Sequence, residues 1–474
     1  MKQARKPFPA PVPLKNLLGP SFIILALGLG SGEIILWPFL TSKYGLGIAW
    51  GALLGITFQY FMNMEIERYA LVKGESVFVG LRRIFKWSLP WFIISTFVGF
   101  GIPGIIAASA KVTAHLLGWE EFKWIAIGFL ILIGIILSTG KTVYGMMERI
   151  TKSVLLIGTP FIFVLVVIIS SSTDWSALAK GLVGIGETIA SNPAGYFFLP
   201  TGISLATFLA AFAYAGAGGN LNLTQSIYVK EKGYGMGKYS QQMAGLFHSR
   251  RHEVVKLTGQ ECDYSPKSIS NFRKWWTLVS AEHLMVFWFM GIITMSLLML
   301  LSYATAFGQV DANSADIGFV ITEGQRIGEL LSPFVGVLFL VAVVVMLFQT
   351  QLGVMDSTSR IMAENLALKK IDAEHKKKIN LSRIYYGFLW AQIAFGTFLF
   401  LIDFKEPLTL IVLGAVINAV AMFVHLGLVN WMNIKVLPKA VQASLWRKAI
   451  IAIIFAFFGI FSIITIYAQV GKLF

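Results

Sequence analysis

Two long apolar stretches of this chain are each interrupted by a cluster of glycines that runs into a polar residue. One is Gly28-Leu29-Gly30-Ser31-Gly32-Glu33 near the start, the other Gly216-Ala217-Gly218-Gly219-Asn220 near the middle. A helix inside lipid must satisfy its own backbone hydrogen bonds, so an interruption frees amides and carbonyls that only solute, water or neighbouring protein can satisfy. Paired interruptions in corresponding halves point to the midplane solute site of a secondary transporter.

Composition demands the bilayer: of 474 residues, 56% are hydrophobic and 13% charged, with a mean hydropathy of +0.72. Runs of roughly 20 apolar residues predict eleven spans, near 20–42, 46–66, 91–116, 122–139, 150–171, 203–230, 276–303, 330–353, 382–403, 407–431 and 447–470. Eleven spans send alternate loops to the cytoplasm, where Lys and Arg should collect. With the N-terminus inside, the inner segments hold 32 of the 39 Lys and Arg. The outer ones hold only Lys43, Lys123, Lys180, Arg326, Lys405 and Lys472, and Lys111 alone lies more than three residues inside a span. The net charge of +15 is therefore a topology signal, and nucleic-acid binding is not needed to explain it. The tract Lys376-Lys377-Lys378 suits anionic lipid. The expectation is a multi-pass integral protein of the plasma (inner) membrane, N-terminus cytoplasmic and C-terminus outside, without a soluble domain and with its oligomeric state left open.

Residues 1–18 contain no apolar core, so the first span is expected to be retained rather than cleaved as a leader. The single Cys262 excludes an internal disulfide and a cysteine-based metal cage. The longest inner loop, 231–275, opens Gly233-Tyr234-Gly235-Met236-Gly237 and reads as a flexible connector between two halves. In the outer stretch 172–202, Trp175, Leu178, Leu182 and Ile185 at helical spacing predict a short surface helix ending near Asn192-Pro193.

Several of these features together resemble the Nramp (natural resistance-associated macrophage protein) family of divalent-metal transporters, over most of the chain through the tenth span. They are Leu18-Gly19-Pro20 leading into a broken first span, Glu67-Arg68-Tyr69 and Val72-Lys73-Gly74-Glu75-Ser76 closing the second, Met147-Glu148-Arg149 opening the fifth, and Asn220-Leu221-Asn222-Leu223 in the sixth. The resemblance implies an all-α polytopic fold of the LeuT/APC type. Two inverted five-helix repeats, about 19–171 and about 203–431, would be followed by an eleventh helix at about 447–470, with substrate between broken helices 1 and 6.

The site residues depart from the family pattern. Its first-helix motif, Asp-Pro-Gly-Asn, falls here on Gly30, Ser31, Gly32 and Glu33. Its sixth-helix motif, Ala-x-x-Met-Pro-His-Asn-Leu, falls with Ala217 at the Met, Gly218 at the Pro, Gly219 at the His and Asn220 at the Asn; a shift of one puts Gly218 at the Met. In either register the usual metal-binding Asp and Met are missing. The thioether that favours Mn²⁺ and Fe²⁺ over hard ions is gone, which fits Nramp-related proteins carrying Mg²⁺. Gln349, Thr350 and Gln351 match the family's Gln-Ser-Ser-Thr region of span 8. Asn418 lies near a family Gln whose own equivalent is Ala415. The acids that help carry protons in the family's third span have no counterpart in Pro103-Gly104-Ile105-Ile106.

On physical grounds alone, a mid-span carboxylate is costly and marks a solute pathway. Beside carbonyls freed at residues 28–31, Glu33 would complete an all-oxygen site for a hard divalent cation. The half-helix starting near Gly32 would stabilise its charge or attract an anionic substrate group. The competing reading is a neutral acid or an ion pair with Lys111. Asn220 and Asn222 read as substrate ligands or as local caps, and Asn418 as a site-lining residue or an interhelical hydrogen bond. Lys111 and His115, four residues apart on one face, are candidate coupling groups; the plainer reading is a Lys–Glu pair with His near the outer interface. Glu282-His283, after Arg273-Lys274 and Trp275-Trp276, is expected to be interfacial.

The function expected is an Nramp-related secondary transporter that moves Mg²⁺ or Mn²⁺ by alternating access, with proton coupling open. The metal is substrate, and no cofactor is implied. Two alternatives stand beside it: the same fold carrying an organic solute such as an amino acid, with Glu33 pairing a substrate amine, and a non-transporting receptor or scaffold. His-Glu-x-x-His, Gly-x-Ser-x-Gly and paired intramembrane aspartates are all missing, which argues against an enzyme.

Overall fold

A computed structural model describes residues 5–13, 17, 19–139, 143–241, 253–254, 256–309, 317–374 and 378–470. Leu18 and the Lys376-Lys377 part of the basic tract lie outside them, as does the C-terminal end at 471–474. All eleven apolar segments are helical. Span 1 covers Pro20–Tyr44 and span 2 Ala49–Lys73, and span 3 comprises Ser88–Gly101 and Gly104–Leu117. Spans 4 and 5 are Lys123–Thr139 and Val143–Ile169, and span 6 comprises Leu205–Ala213 and Thr224–Glu231. Spans 7 to 11 are Pro266–Ala306, Pro333–Glu374, Leu381–Leu401, Pro407–Val436 and Leu445–Val470.

Among the described residues, seven helices are long and apolar enough to cross a membrane alone, or up to eight if Leu156–Ile169 is joined to Ser172–Gly181 across a 117° bend. The other segments fall short for visible reasons. Span 2 carries Glu65, Glu67, Arg68 and Lys73, span 4 has only 17 residues, and span 6 is interrupted.

Local chemistry sets the ends of these helices. Ser265 and Asn380 cap spans 7 and 9, their side chains accepting the amides of Ser268 and Arg383. Pro266 and Pro407 occupy first-turn positions where no amide donor is needed. Span 2 ends on Gly74 at φ 63°, a left-handed cap. In span 3, Pro103 forces Ile102 into extended backbone and splits the helix.

Span 8 lies along both halves of span 3, and span 10 lies against Leu205–Ala213 of span 6 and the turn Gly219–Leu223. Span 1 is held among spans 6, 7 and 8. Span 11 packs on the outside of span 10. The lipid-facing side chains include Ile94, Ile131, Phe163, Val167, Ile460 and Ile463.

The segment 172–202 packs over the turn between spans 1 and 2 and against span 7. Ser171 and Asp174 form a reciprocal capping box that starts Ser172–Gly181, so the expected surface helix is present. Beyond it the chain makes a hairpin of β1 (Ile185–Gly186) and β2 (Tyr196–Phe197), where helix was expected to run toward Asn192. Glu187 in this hairpin accepts the amides of Leu46 and Gly47, both at 3.3 Å, closing the turn after span 1. A further helix, Gly318–Leu330, precedes span 8 and was not evident in the sequence.

The inner loop 231–275 is not free where it is described. Gly235–Tyr239 is a buried 3-10 turn against span 2, and β3 (Glu253–Val254) pairs with β4 (Lys378–Ile379). The expected flexibility fails because the glycines there serve tight docking: Gly235, at φ 50°, lies against the Leu71 carbonyl.

Lys405 bonds Glu121 at 2.8 Å and Lys123 bonds Asp403 at 2.9 Å, joining the start of span 4 to the turn after span 9. The Lys405 hydrogen bond holds the Glu121 carboxyl below the usual carboxylate range. A depressed folded value stabilises above the unfolded pKa and is lost as pH falls through the folded one. Because the pair is exposed, Glu121→Gln is expected to change stability at neutral pH by less than about 1 kcal/mol, read as thermal unfolding in detergent.

Candidate functional site

The interruption of span 1 takes the form of a π-helical segment, Leu29–Leu36, between two α-helical parts. It is not an unwound loop, so the expected freeing of carbonyls 28–31 is corrected. The Trp37 amide reaches the Gly32 carbonyl, one residue beyond α-helical register. The glycines permit close helix approach. A Cβ on Gly28 would lie 2.7 Å from the Gly216 carbonyl carbon, and one on Gly30 would lie 2.6 Å from Thr350 Cβ. One on Gly32 would overlap the Tyr214 carbonyl oxygen. The first glycine cluster is thus seated against the second, where small residues let backbones meet.

The wide turn carries Glu33 into the interior, where it is fully buried. Thr294 Oγ1 of span 7 lies 2.5 Å from Glu33 Oε2, while Oε1 has no hydrogen-bond partner. Among the described residues Glu33 forms no ion pair; Lys111 instead pairs with Glu406 at 3.6 Å. Thr294 has one proton and further acceptors in Met290 O at 3.0 Å and Gly291 O at 3.1 Å. It can donate to an ionised Glu33, or accept from a protonated one while donating along its own helix. The site accommodates either state with the same geometry.

Span 6 is broken as expected. Helix stops at Ala213, Gly218 and Gly219 take φ of 71° and 51°, and a 3-10 turn, Gly219–Leu223, leads into Thr224–Glu231. Gln59 of span 2 satisfies the break, its Nε2 donating to Ala213 O at 2.9 Å and its Oε1 accepting the Gly218 amide at 3.1 Å. Sequence reasoning missed Gln59, although an amide in the middle of an apolar run is a readable signal. Gln59→Leu would orphan both backbone groups, at about 1–3 kcal/mol each. The expected result is a clear drop in thermal unfolding temperature in detergent; no drop would mean the break is satisfied elsewhere.

The remaining expected residues gather on the other side of the break. Asn220 Nδ2 donates to Ser95 Oγ at 2.8 Å and Thr96 Oγ1 at 3.0 Å in span 3, and its Oδ1 faces His425 Nδ1 of span 10 at 3.4 Å. Asn418 Nδ2 donates to Gly99 O and to the Tyr214 hydroxyl, both at 2.9 Å. Asn222 is buried with neither amide atom hydrogen-bonded. Ser31, Ala217, Gly218 and Gln349 are buried, and Gln351 borders a cavity of about 10 Å³ beside Tyr214 and Gly99, room for about one water. Glu33 with Thr294 and Asn220 with Asn418 therefore form two separate polar sets that share no hydrogen bond. Among the described residues no group of three or more His, Cys, Asp or Glu is arranged to hold a metal ion.

His115 is exposed and lines a cavity with Gln325 and Glu329. Lys111 forms a Lys–Glu pair, with Glu406. Glu282 and His283 overturn their expected interfacial placement: both are buried, because Ser21 of span 1 supplies a partner and a π-helical segment, Leu284–Phe289, begins directly after them.

No protein-family model matches this chain, and no curated protein matches it in sequence. Solved structures do. A variant of the Eremococcus coleocola manganese transporter aligns over 98% of this chain and 91% of its own, with a TM-score of 0.68 at 12% identity. The same transporter bound to an aromatic bis-isothiourea-substituted compound covers 99% and 91%, with a TM-score of 0.67 at 11% identity. A nucleobase-cation-symport-1 family transporter, closed with bromovinylhydantoin bound, covers 98% and 94%, with a TM-score of 0.51 at 14% identity. The chain is an all-α, multi-pass membrane protein with the LeuT-type fold that these transporters share.

Proposed function

We propose that this chain is an Nramp-related secondary transporter that moves a divalent cation of the Mg²⁺ or Mn²⁺ type across the membrane by alternating access. The observation that carries the reading is Glu33: a buried carboxylate with one unpartnered oxygen, on the π-helical turn that packs against the break of span 6. A carboxylate in a membrane interior without a counter-ion calls for a cation as ligand. One charge beside a single hydroxyl suits a hard ion that keeps several of its waters. The missing thioether removes the preference for softer metals. A manganese transporter among the structural neighbours supports the same class.

Asn220 is the second proposed ligand. With its two N–H donors held by Ser95 and Thr96, its Oδ1 is the atom available to an ion, and among the described residues the His425 ring is its competitor. Movement of span 1 relative to the break of span 6 would bring Glu33 and Asn220 onto the same ion and then release it.

Transport of an organic solute is favoured by a different observation. Asn222 and the Asn418 Oδ1 are buried without partners, and neutral polar atoms of this kind recognise amino or carboxylate groups. A thermal-shift screen of purified protein separates the readings. Millimolar Mg²⁺ or Mn²⁺ is expected to stabilise it, whereas stabilisation by an amino acid and by no metal would reverse the assignment.

A further inference from the structure

The ends of spans 1, 2, 6 and 7 that lie beside the basic residues Arg68, Lys73 and Arg447 enclose a second set of buried ionisable groups, which the proposed cation site does not use. Ser21 Oγ of span 1 donates to Glu282 Oε2 of span 7 and lies 2.8 Å from His283 Nδ1. A hydroxyl has one proton, so with that proton on Glu282 the bond to His283 must be donated by Nδ1–H. In that state Nε2 carries the lone pair; a protonated Glu282 instead donates to Ser21, which then donates to Nδ1. Nε2 is buried without a partner, and so is Glu282 Oε1. The imidazole is fixed between Tyr60, 5.6 Å away, and Phe287, 4.6 Å away, both stacked on it.

The surrounding charges leave this triad without a counter-cation. From span 2, Glu67 acts electrostatically on Glu282 and is itself bonded by Gln225 of span 6 at 3.1 Å. The Tyr60 hydroxyl donates to Ser280 O at 3.4 Å and feels Arg447 at the start of span 11. Arg447 is engaged by Glu65 at 3.0 Å, and Arg68 by the same carboxylate at 2.8 Å. The Lys232 side chain lies against Gly19, two residues before Ser21. Among the described residues, neither Glu282 nor His283 forms an ion pair.

We propose that Glu282, Ser21 and His283 form a proton-binding site that latches span 1 to span 7. A proton from water enters at His283 Nε2, and transfer of the Nδ1 proton to Ser21 and of the Ser21 proton to Glu282 leaves a neutral imidazole and a protonated carboxyl. The triad then changes from one net negative charge to none. Protonated, the bridge is neutral, with Glu282 donating to Ser21 and Ser21 to His283 Nδ1, and it holds the two spans together. Deprotonated, the Glu282 carboxylate sits near Glu67 with no cation, and its solvation requires the two span ends to part. Proton release is thereby tied to opening at the basic end of the protein. The site uses spans 1 and 7, whereas Lys111 and His115 of span 3 lie at the opposite face.

The test needs no substrate, so it stands apart from the cation reading. Hydrogen–deuterium exchange of the full-length protein in lipid nanodiscs is followed for residues 20–28 and 266–283 at about pH 6 and about pH 8, on either side of the ordinary histidine range. After correction for intrinsic exchange, wild type is expected to be protected roughly tenfold more at the lower pH, the effect of about 1.4 kcal/mol of differential interaction. Glu282→Gln is expected to remain protected at both values. Ser21→Ala, which removes only a hydroxyl, is expected to lose the difference too, and it decides the matter alone if Glu282→Gln does not fold. Glu323→Gln, at a buried acid in the helix before span 8, should retain the wild-type difference. Equal protection of wild type at both values, or a difference that survives in Glu282→Gln or Ser21→Ala, would overturn the proposal.

Discussion

Glu33→Gln is expected to lower saturable Mg²⁺ or Mn²⁺ uptake into proteoliposomes by roughly 10²-fold or more while the protein stays folded. Glutamine has nearly the same volume and can still meet Thr294, whose hydroxyl lies 2.5 Å from the native carboxylate. Only the charge is lost. A charged hydrogen-bonding group contributes about 3 kcal/mol to its partner, and each 1.4 kcal/mol is tenfold in binding. Removing a buried carboxylate with an unpartnered oxygen also removes a desolvation cost, so thermal stability without metal should hold or rise. Wild-type uptake in the variant would show that the charge is not part of the cation path.

Gly32→Ala is expected to have the largest effect on folding of any single methyl addition along span 1. The new Cβ would overlap the carbonyl oxygen of Tyr214, which belongs to the broken backbone of span 6 and cannot rotate aside as a side chain would. Overpacking usually costs about 1–3 kcal/mol, and a backbone-on-backbone clash belongs at or above that range. Gly128→Ala in span 4 is the matched control, since nothing lies within 4 Å of its added Cβ. That change should be neutral or stabilising by up to about 1 kcal/mol, the ordinary helix preference for alanine. Thermal unfolding and monodispersity in detergent compare the two, and equal behaviour would remove the argument that the two glycine clusters are seated on each other.

The fold was legible in the sequence because membrane insertion imposes simple requirements. Apolar run length and the basic loops picked out all eleven helical segments, and Gly216 to Asn220 marked the break in span 6 correctly. The shape of the span 1 interruption was not legible. Gly28, Gly30 and Gly32 are as compatible with close backbone approach as with unwinding, and only the positions of Gly216, Thr350 and Tyr214 distinguish the two. Glu33 could be recognised as a mid-span acid, but its partner Thr294 is 261 residues away. Gln59 stands out as an amide in an apolar run, but the backbone groups it satisfies lie 154 and 159 residues away, so its role was not legible. Glu282 and His283 misled for the opposite reason: their neighbours Trp275 and Trp276 look like interfacial anchors. Span 7 nevertheless begins at Pro266, ten residues earlier than the apolar run suggests, and this carries both groups into the interior.

The most direct measurement of the central claim is radiotracer or fluorescence uptake in proteoliposomes containing the purified protein, offered Mg²⁺, Mn²⁺ and a panel of amino acids in parallel, with internal pH followed throughout. Saturable uptake of at least one of the two metals, lost in Glu33→Gln and unaffected by the amino acids, is the expected result. The absence of metal flux at millimolar concentration, together with saturable entry of an amino acid, would contradict it.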